Sequence, residues 1–274
     1  MRTRSLVAVA GILLLFLLVF LAPPWVVGLA VGIIAGCCAW ELLRCAEEDA
    51  PRRIRAYAAV AAFLLPFLYG LELAADPTLG IIFLLLLVTS CELIMSFRGG
   101  ETLALETLGM VLLAGAVMPL LLASLVRLRL WEGTGRALLL LPFVVSIATD
   151  SGAYLVGSSL GKHKLAPHVS PQKTIEGAIG GFLAALALVS IYGLILLALG
   201  YTVRFAALLS CAFLGSFVSQ LGDLAFSAVK RLCGVKDYGT LIPSHGGMLD
   251  RFDSIHFTAP FIEALLLWVP TIQL

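Results

Sequence analysis

Residues 227–254 read SAVKRLCGVKDYGTLIPSHGGMLDRFDS. They gather Lys230, Arg231 and Lys236, the triplet His245-Gly246-Gly247 and the cluster Asp250-Arg251-Phe252-Asp253 into one stretch of an otherwise apolar chain. Asp250 and Asp253 are three apart, which on a helix sets both on one face, the arrangement two carboxylates need to share a hard cation. Oxygen donors without histidine or thiolate suit magnesium better than zinc. A competing account is that acids at a helix start only complement its dipole, worth about 0.3–1 kcal/mol. Glycines let backbone N–H groups approach an anion, and the lysines and arginines supply countercharge, so the loop has what a polyphosphate requires. Taken alone, those cations also fit a cytoplasmic membrane interface. No GxxxxGK[ST] occurs, so this is not a Walker loop.

Two carboxylates sit inside apolar stretches: Asp150 in LPFVVSIATDSGAYLVG and Asp223 in FLGSFVSQLGDLAFSAV. An ionisable group at membrane depth costs at least roughly 2.5–3.5 kcal/mol, so it needs a partner, a cation or a water-filled cavity. Asp223 reads as part of a site. For Asp150, a site role and a structural pairing with an arginine of a neighbouring helix both stand.

A second polar loop reads GKHKLAPHVSPQKTIEGAIGG. Ser170 followed by Pro171 has the form of an N-cap and first turn, so a helix is expected to begin there and run into the next apolar span. Its free N–H groups, with Lys173 one turn inside, would make an anion site. His163 and His168 read as part of the interfacial loop rather than as a metal centre.

The elements that must position these residues follow from composition. Apolar residues make up 61% of the 274 positions and charged residues 13%, against roughly 25% charged in an ordinary soluble domain. The chain therefore reads as an all-α, polytopic integral membrane protein. About nine apolar runs are long enough to span: 6–22, 25–45, 57–75, 79–97, 108–126, 137–157, 179–199, 203–226 and 255–272. With a cytoplasmic N-terminus, fourteen of the eighteen lysines and arginines fall on the inner side, as the positive-inside rule requires. The net charge of +1 hides this asymmetry, which points to a cytoplasmic active face and not to nucleic acid. Arg2 and Arg4 before an apolar run suggest a signal peptide, but Pro23-Pro24 stand where a small-residue cleavage site would be needed.

The six cysteines show no CxxC pair, so neither a disulfide framework nor a zinc site is indicated. Gly32/Gly36 and Gly177/Gly181 put small residues one turn apart, read as close helix packing in lipid. No internal repeat or long linker divides the chain. Residues 1–135 read as a hydrophobic scaffold and residues 136–274 as the catalytic region with its cytoplasmic loops.

The spacing Ser227-x-x-Lys230-Arg231-x4-Lys236-Asp237-x-Gly239-x-x-Ile242-Pro243-x-His245-Gly246-Gly247-x-x-Asp250-Arg251-x-Asp253 resembles the signature of phosphatidate cytidylyltransferases, also called CDP-diacylglycerol synthases. The segments SPQKTIEG and GDLAFS upstream are similar to family segments as well. The resemblance runs residue by residue over the C-terminal half and as topology over the N-terminal half. It implies a magnesium-dependent reaction of CTP with phosphatidic acid, giving CDP-diacylglycerol and pyrophosphate, in a multi-pass protein of the plasma or inner membrane with its site facing the cytoplasm. It further implies that Asp223 and Asp250 ligate one cation or a pair, with Asp253 as a further ligand or support. Catalytic duties would fall to Asp223, Asp250, Lys230 and Arg251, and substrate binding to Ser170, Lys173, Arg231, Lys236, His245, Gly246 and Gly247. A homodimer is also implied. Two rivals remain: an ion-coupled transporter built on Asp150 and Asp223, which leaves the basic glycine loop unexplained, and a CTP-dependent lipid kinase.

Overall fold

Apolar runs of this length can satisfy their own backbone in lipid only by coiling. The computed structural model accordingly is helical along most of its described residues, which are 11, 13–46, 51–99, 103–241, 246–269 and 271–273. Residues 13–20 are helical, while residues 6–10 and 12 of the first expected span lie outside the described ones, as does His245. The elements are α1 (Pro24–Ala46), α2 (Arg52–Gly70), α3 (Thr78–Gly99), α4 (Leu105–Leu112), a π-helical turn (Leu113–Val117), α5 (Met118–Arg129), α6 (Gly135–Leu160), β1 (Lys164–Ala166), β2 (Ser170–Thr174), α7 (Ile175–Ala198), β3 (Thr202–Val203), α8 (Phe205–Leu232), α9 (Leu249–Trp268) and β4 (Ile272–Gln273).

Six segments among the described residues are long and apolar enough to cross a membrane: Pro24–Ala46, Thr78–Phe97, Leu105–Arg129, Gly135–Leu160, Ile175–Ala198 and Phe205–Leu232. The chain is an all-α, multi-pass membrane protein. Helices also stand where the spans 57–75 and 255–272 were expected, but both begin earlier in sequence, so their charged first turns are helical. Arg52, Arg53 and Arg55 open α2, and Asp250, Arg251 and Asp253 open α9.

The chain forms two compact units. The first comprises Met1–Arg127 and Val235–Arg251, the second Leu128–Gly234 and Phe252–Leu274.

In the first unit α1 and α2 approach closely through glycine. A Cβ on Gly32 would come 2.5 Å from the Phe63 carbonyl oxygen, and one on Gly36 would come 3.0 Å from that of Ala59. This is the small-residue packing expected from their spacing. The π turn carries Gly115, whose Cβ would meet the Ala58 Cα at 3.0 Å. The carboxylate of Glu92 on α3, 7% exposed, is balanced by Arg53 Nε at 2.9 Å and by a hydrogen bond from the Tyr57 hydroxyl at 3.3 Å.

In the second unit α6 packs along α7. Cβ atoms on Gly177 and Gly181 would stand 2.8 and 2.9 Å from the carbonyl oxygens of Ala153 and Thr149. Leu138, Leu141 and Val145 of α6 share a buried core with Val189 and Leu196 of α7, Leu208 of α8 and Ile262 of α9. Buried hydroxyls link the same helices: Thr149 donates to Ser216 at 2.9 Å and Ser146 to Thr258 at 3.2 Å. Bonds of this kind hold helices together where there is no water to compete. Two short antiparallel ladders, β1 with β2 and β3 with β4, complete the unit.

Candidate active site

A cleft of about 550 Å³ opens in the second unit, bordered by Asp150 of α6, Ser170 and Lys173 of β2, and Gln220 and Asp223 of α8. The β1–β2 hairpin lays Lys173 against α8, and its Nζ lies 2.5 Å from Asp223 Oδ2. The other carboxylate oxygen of Asp223 accepts the Ser227 hydroxyl at 3.3 Å. Asp223 thus lines the cleft with a cation and a hydroxyl as partners, which is what a carboxylate within an apolar helix requires. Asp253 is buried to 9% exposure and its Oδ1 accepts the Ser254 N–H at 2.7 Å. Its charged neighbours in this unit are the carboxylates of Asp223 and Asp150 and the ammonium of Lys230. Arg231 is exposed and donates from Nε to the Val169 carbonyl at 3.1 Å, tying the end of α8 to the hairpin turn.

The helix expected to start at Ser170-Pro171 begins later. Residues Ser170–Thr174 form a strand paired with Lys164–Ala166, and α7 opens at Ile175. Thr174 is the N-cap, its hydroxyl accepting the Gly177 N–H at 3.1 Å. The reason is the pairing: the ladder with residues 164–166 supplies backbone partners that a first helical turn lacks. Lys173 therefore projects from a strand, one residue before the cap. His163 pairs with Glu176, Nδ1 to Oε1 at 2.6 Å, and Glu176 also accepts the backbone N–H groups of Lys162 and His163.

The signature loop belongs to the first unit. Asp250, in the first turn of α9, accepts the Tyr238 N–H and the Gly247 N–H through Oδ2, each at 2.9 Å. Gly246 has φ +85, a conformation glycine adopts without strain. Lys236 and Arg251 are exposed. From α1, Glu41 accepts the Met248 N–H at 3.0 Å and the Leu249 N–H at 2.9 Å, and Arg44 donates to the Tyr238 carbonyl at 2.9 Å. A second cleft of about 530 Å³ lies beside them, bordered by Trp40, Glu41, Arg44 and Thr240.

Glu41, Arg44, Thr174 and Gln220 were not singled out from sequence. Glu41 and Glu92 are carboxylates inside apolar runs just as Asp150 and Asp223 are, so the depth argument applied to those two had the signal to find them. Thr174 is visible only once the helix start moves to Ile175.

The donor set of Asp223 and Asp253 is oxygen alone, the chemistry of a hard divalent cation. Among the described residues no three acidic, histidine or cysteine side chains gather closely enough to hold an ion unaided. Magnesium is ordinarily bound by one or two carboxylates, with water and substrate phosphates completing its shell, so the residues present fit that group.

A membrane-embedded helical protein with a carboxylate–lysine cleft and a basic glycine loop is the setting of a nucleotide-using lipid enzyme, and sequence comparison agrees. The model of the cytidylyltransferase family matches residues 2–269, and the chain belongs to that family. It is 38% identical over 207 residues to the phosphatidate cytidylyltransferase of Bacillus subtilis (strain 168), covering 74% of each chain. It is 46% identical over 133 residues to the phosphatidate cytidylyltransferase of Staphylococcus aureus (strain COL), covering 47% of this chain and 48% of that one. The protein of the same name in Staphylococcus haemolyticus (strain JCSC1435) is 44% identical over 129 residues, covering 47% and 48%.

Proposed function

We propose that this chain transfers the cytidylyl group of CTP to phosphatidic acid, giving CDP-diacylglycerol and pyrophosphate for phospholipid synthesis. The family match across residues 2–269 carries the reading. A phosphate oxygen of the lipid attacks the α-phosphorus of CTP, the bond from that phosphorus to the β-phosphate bridging oxygen breaks, and pyrophosphate leaves with the electron pair. The nucleophile comes with the substrate, so no serine or cysteine is required.

Charge spreads over the phosphoryl oxygens and the leaving group, so the protein's work is positioning and electrostatic stabilisation. Lys173 is aimed before substrate arrives, because Asp223 already holds its ammonium at the cleft. In this reading Lys230, Arg231, Lys236 and Arg251 hold the remaining phosphate oxygens, with Ser170, His245, Gly246 and Gly247 contributing to substrate binding. Asp223 and Asp250 are the residues that would ligate magnesium, with Asp253 as a further ligand or support and with water and substrate phosphates completing the shell; the ion when bound neutralises phosphate charge.

The acyl chains of phosphatidic acid stay in the bilayer while CTP stays in water, so the site belongs at the cytoplasmic interface of the plasma or inner membrane. Nine spans with a cytoplasmic N-terminus, residues 136–274 as the catalytic region and a homodimer complete the proposal. The excess of lysine and arginine on the inner side supports that orientation.

The test is purified protein in detergent with magnesium, phosphatidic acid and CTP labelled at the α- or γ-phosphate. Lipid labelled from the α-position supports the transferase. Label from the γ-position alone means a kinase, and label from neither removes both.

A further inference from the structure

We infer that Glu41 and Arg44, one turn apart on α1, are positioning residues for the signature loop and set the placement of the Asp250 carboxylate. The inference rests on the reading of Asp250 as part of the cation and nucleotide site. Residues 1–135 have the composition of a scaffold, yet α1 reaches the loop with two side chains of opposite charge. Glu41 is 5% exposed on an apolar helix. A carboxylate at such a position is costly unless its oxygens are satisfied, and both are, one by the Met248 N–H and the other by the Leu249 N–H. These are donors at the start of α9, where a helix presents N–H groups without intrahelical partners and a partial positive charge.

The glycines of the loop give an independent sign of the same fit. A Cβ on Gly239 or Gly247 would strike the Glu41 carboxylate, and the Gly247 position would bring it 2.5 Å from Oε2. Two of the fixed glycines in the signature are therefore explained by the side chain seated against them. Arg44 holds the Tyr238 carbonyl, and the N–H of that same residue binds Asp250 Oδ2, as does the N–H of Gly247. Each backbone segment that aims Asp250 is thus held on its other side from α1. Tyr238 is held by Arg44, and the peptides that follow Gly247 are held by Glu41. Partners one step removed from a metal ligand typically contribute about 10- to 100-fold in metal affinity or activity.

The experiment uses the full chain in detergent and compares the parent with E41Q, E41A, R44M and D250N. Three quantities are read: Mn²⁺ affinity in the presence of CTP by electron paramagnetic resonance, KM for CTP against kcat, and the melting midpoint from tryptophan fluorescence. E41Q is isosteric and keeps one acceptor for two donors, so it is the deciding variant if E41A does not fold. The expected result is Mn²⁺ affinity lowered by roughly 10- to 100-fold in E41Q, a smaller loss in R44M, and KM raised more than kcat is lowered. Mn²⁺ affinity and KM at parent values in folded E41Q, with only the melting midpoint reduced, would overturn the inference while D250N still loses binding. Parent-like Mn²⁺ binding in D250N would instead overturn the site reading on which it rests.

Discussion

The ammonium of Lys173 lies 2.5 Å from Oδ2 of Asp223, with each side chain about a quarter exposed, at 26% and 27%. The pair joins the β hairpin to α8 at the edge of the cleft. Neither residue would be well placed without the other: the carboxylate needs a cation at this depth, and the lysine needs an anchor to keep it at the cleft.

Lys173→Met removes the cation and leaves Asp223 and Asp150 facing the cleft without it. Cytidylyl transfer is expected to fall by roughly 100- to 1,000-fold, the usual effect of losing one preorganised charge donor. Lys173→Arg should retain part of the activity. Incorporation of α-labelled CTP into lipid measures both.

Asp223→Asn and Asp250→Asn are each expected to lower transfer by roughly 100-fold or more while leaving the helical circular dichroism signal unchanged. Transfer near the parent rate in either variant removes that residue from the site.

Thr174→Ala deletes the hydroxyl that caps α7 at Gly177, and the expected loss is about 1 kcal/mol. Because the same residue directly follows Lys173, transfer should also weaken. Thermal midpoint and initial rate in one detergent separate the two effects.

Gly32→Ala and Gly80→Ala make an internal comparison. The Gly32 Cβ would come 2.5 Å from a backbone oxygen of α2, whereas nothing lies within 4 Å of the Gly80 position. The first should lower the melting midpoint. The second should raise it slightly, since alanine in a helix is favoured over glycine by roughly 0.5–1 kcal/mol.

Asp76 sits just before α3 and supplies a pH test outside the membrane-spanning segments. The Thr78 hydroxyl and backbone N–H, the latter at 2.8 Å, hold its carboxyl below the usual carboxylate range. A folded-state value below the unfolded one means the group stabilises the fold above the unfolded value, and that this contribution is lost as pH falls through the folded value. The midpoint difference between the parent and Asp76→Asn should therefore be constant near neutrality and shrink below about pH 4. A difference independent of pH would refute the assignment.

Much of the architecture was legible in the chain. Runs of apolar residues dictate helices because lipid offers the backbone no other partner, and the glycine pairs at 32/36 and 177/181 announce close packing because only small residues let two backbones meet. Asp250 and Asp253 at the opening of α9 were legible for the same reason, since helix periodicity is local. The start of α7 was not. Ser170-Pro171 has the form of a cap, and only the pairing of residues 170–174 with 164–166 selects the strand instead.

Sequence alone determined the membrane habit and the family, because composition, hydropathy and fixed spacing are read along one dimension. Tertiary structure decided which charges meet. Glu41 reaches Met248 across 207 positions and Lys173 finds Asp223 on another element. No local periodicity encodes such contacts; they exist because packed helices and a hairpin bring distant side chains within hydrogen-bonding distance.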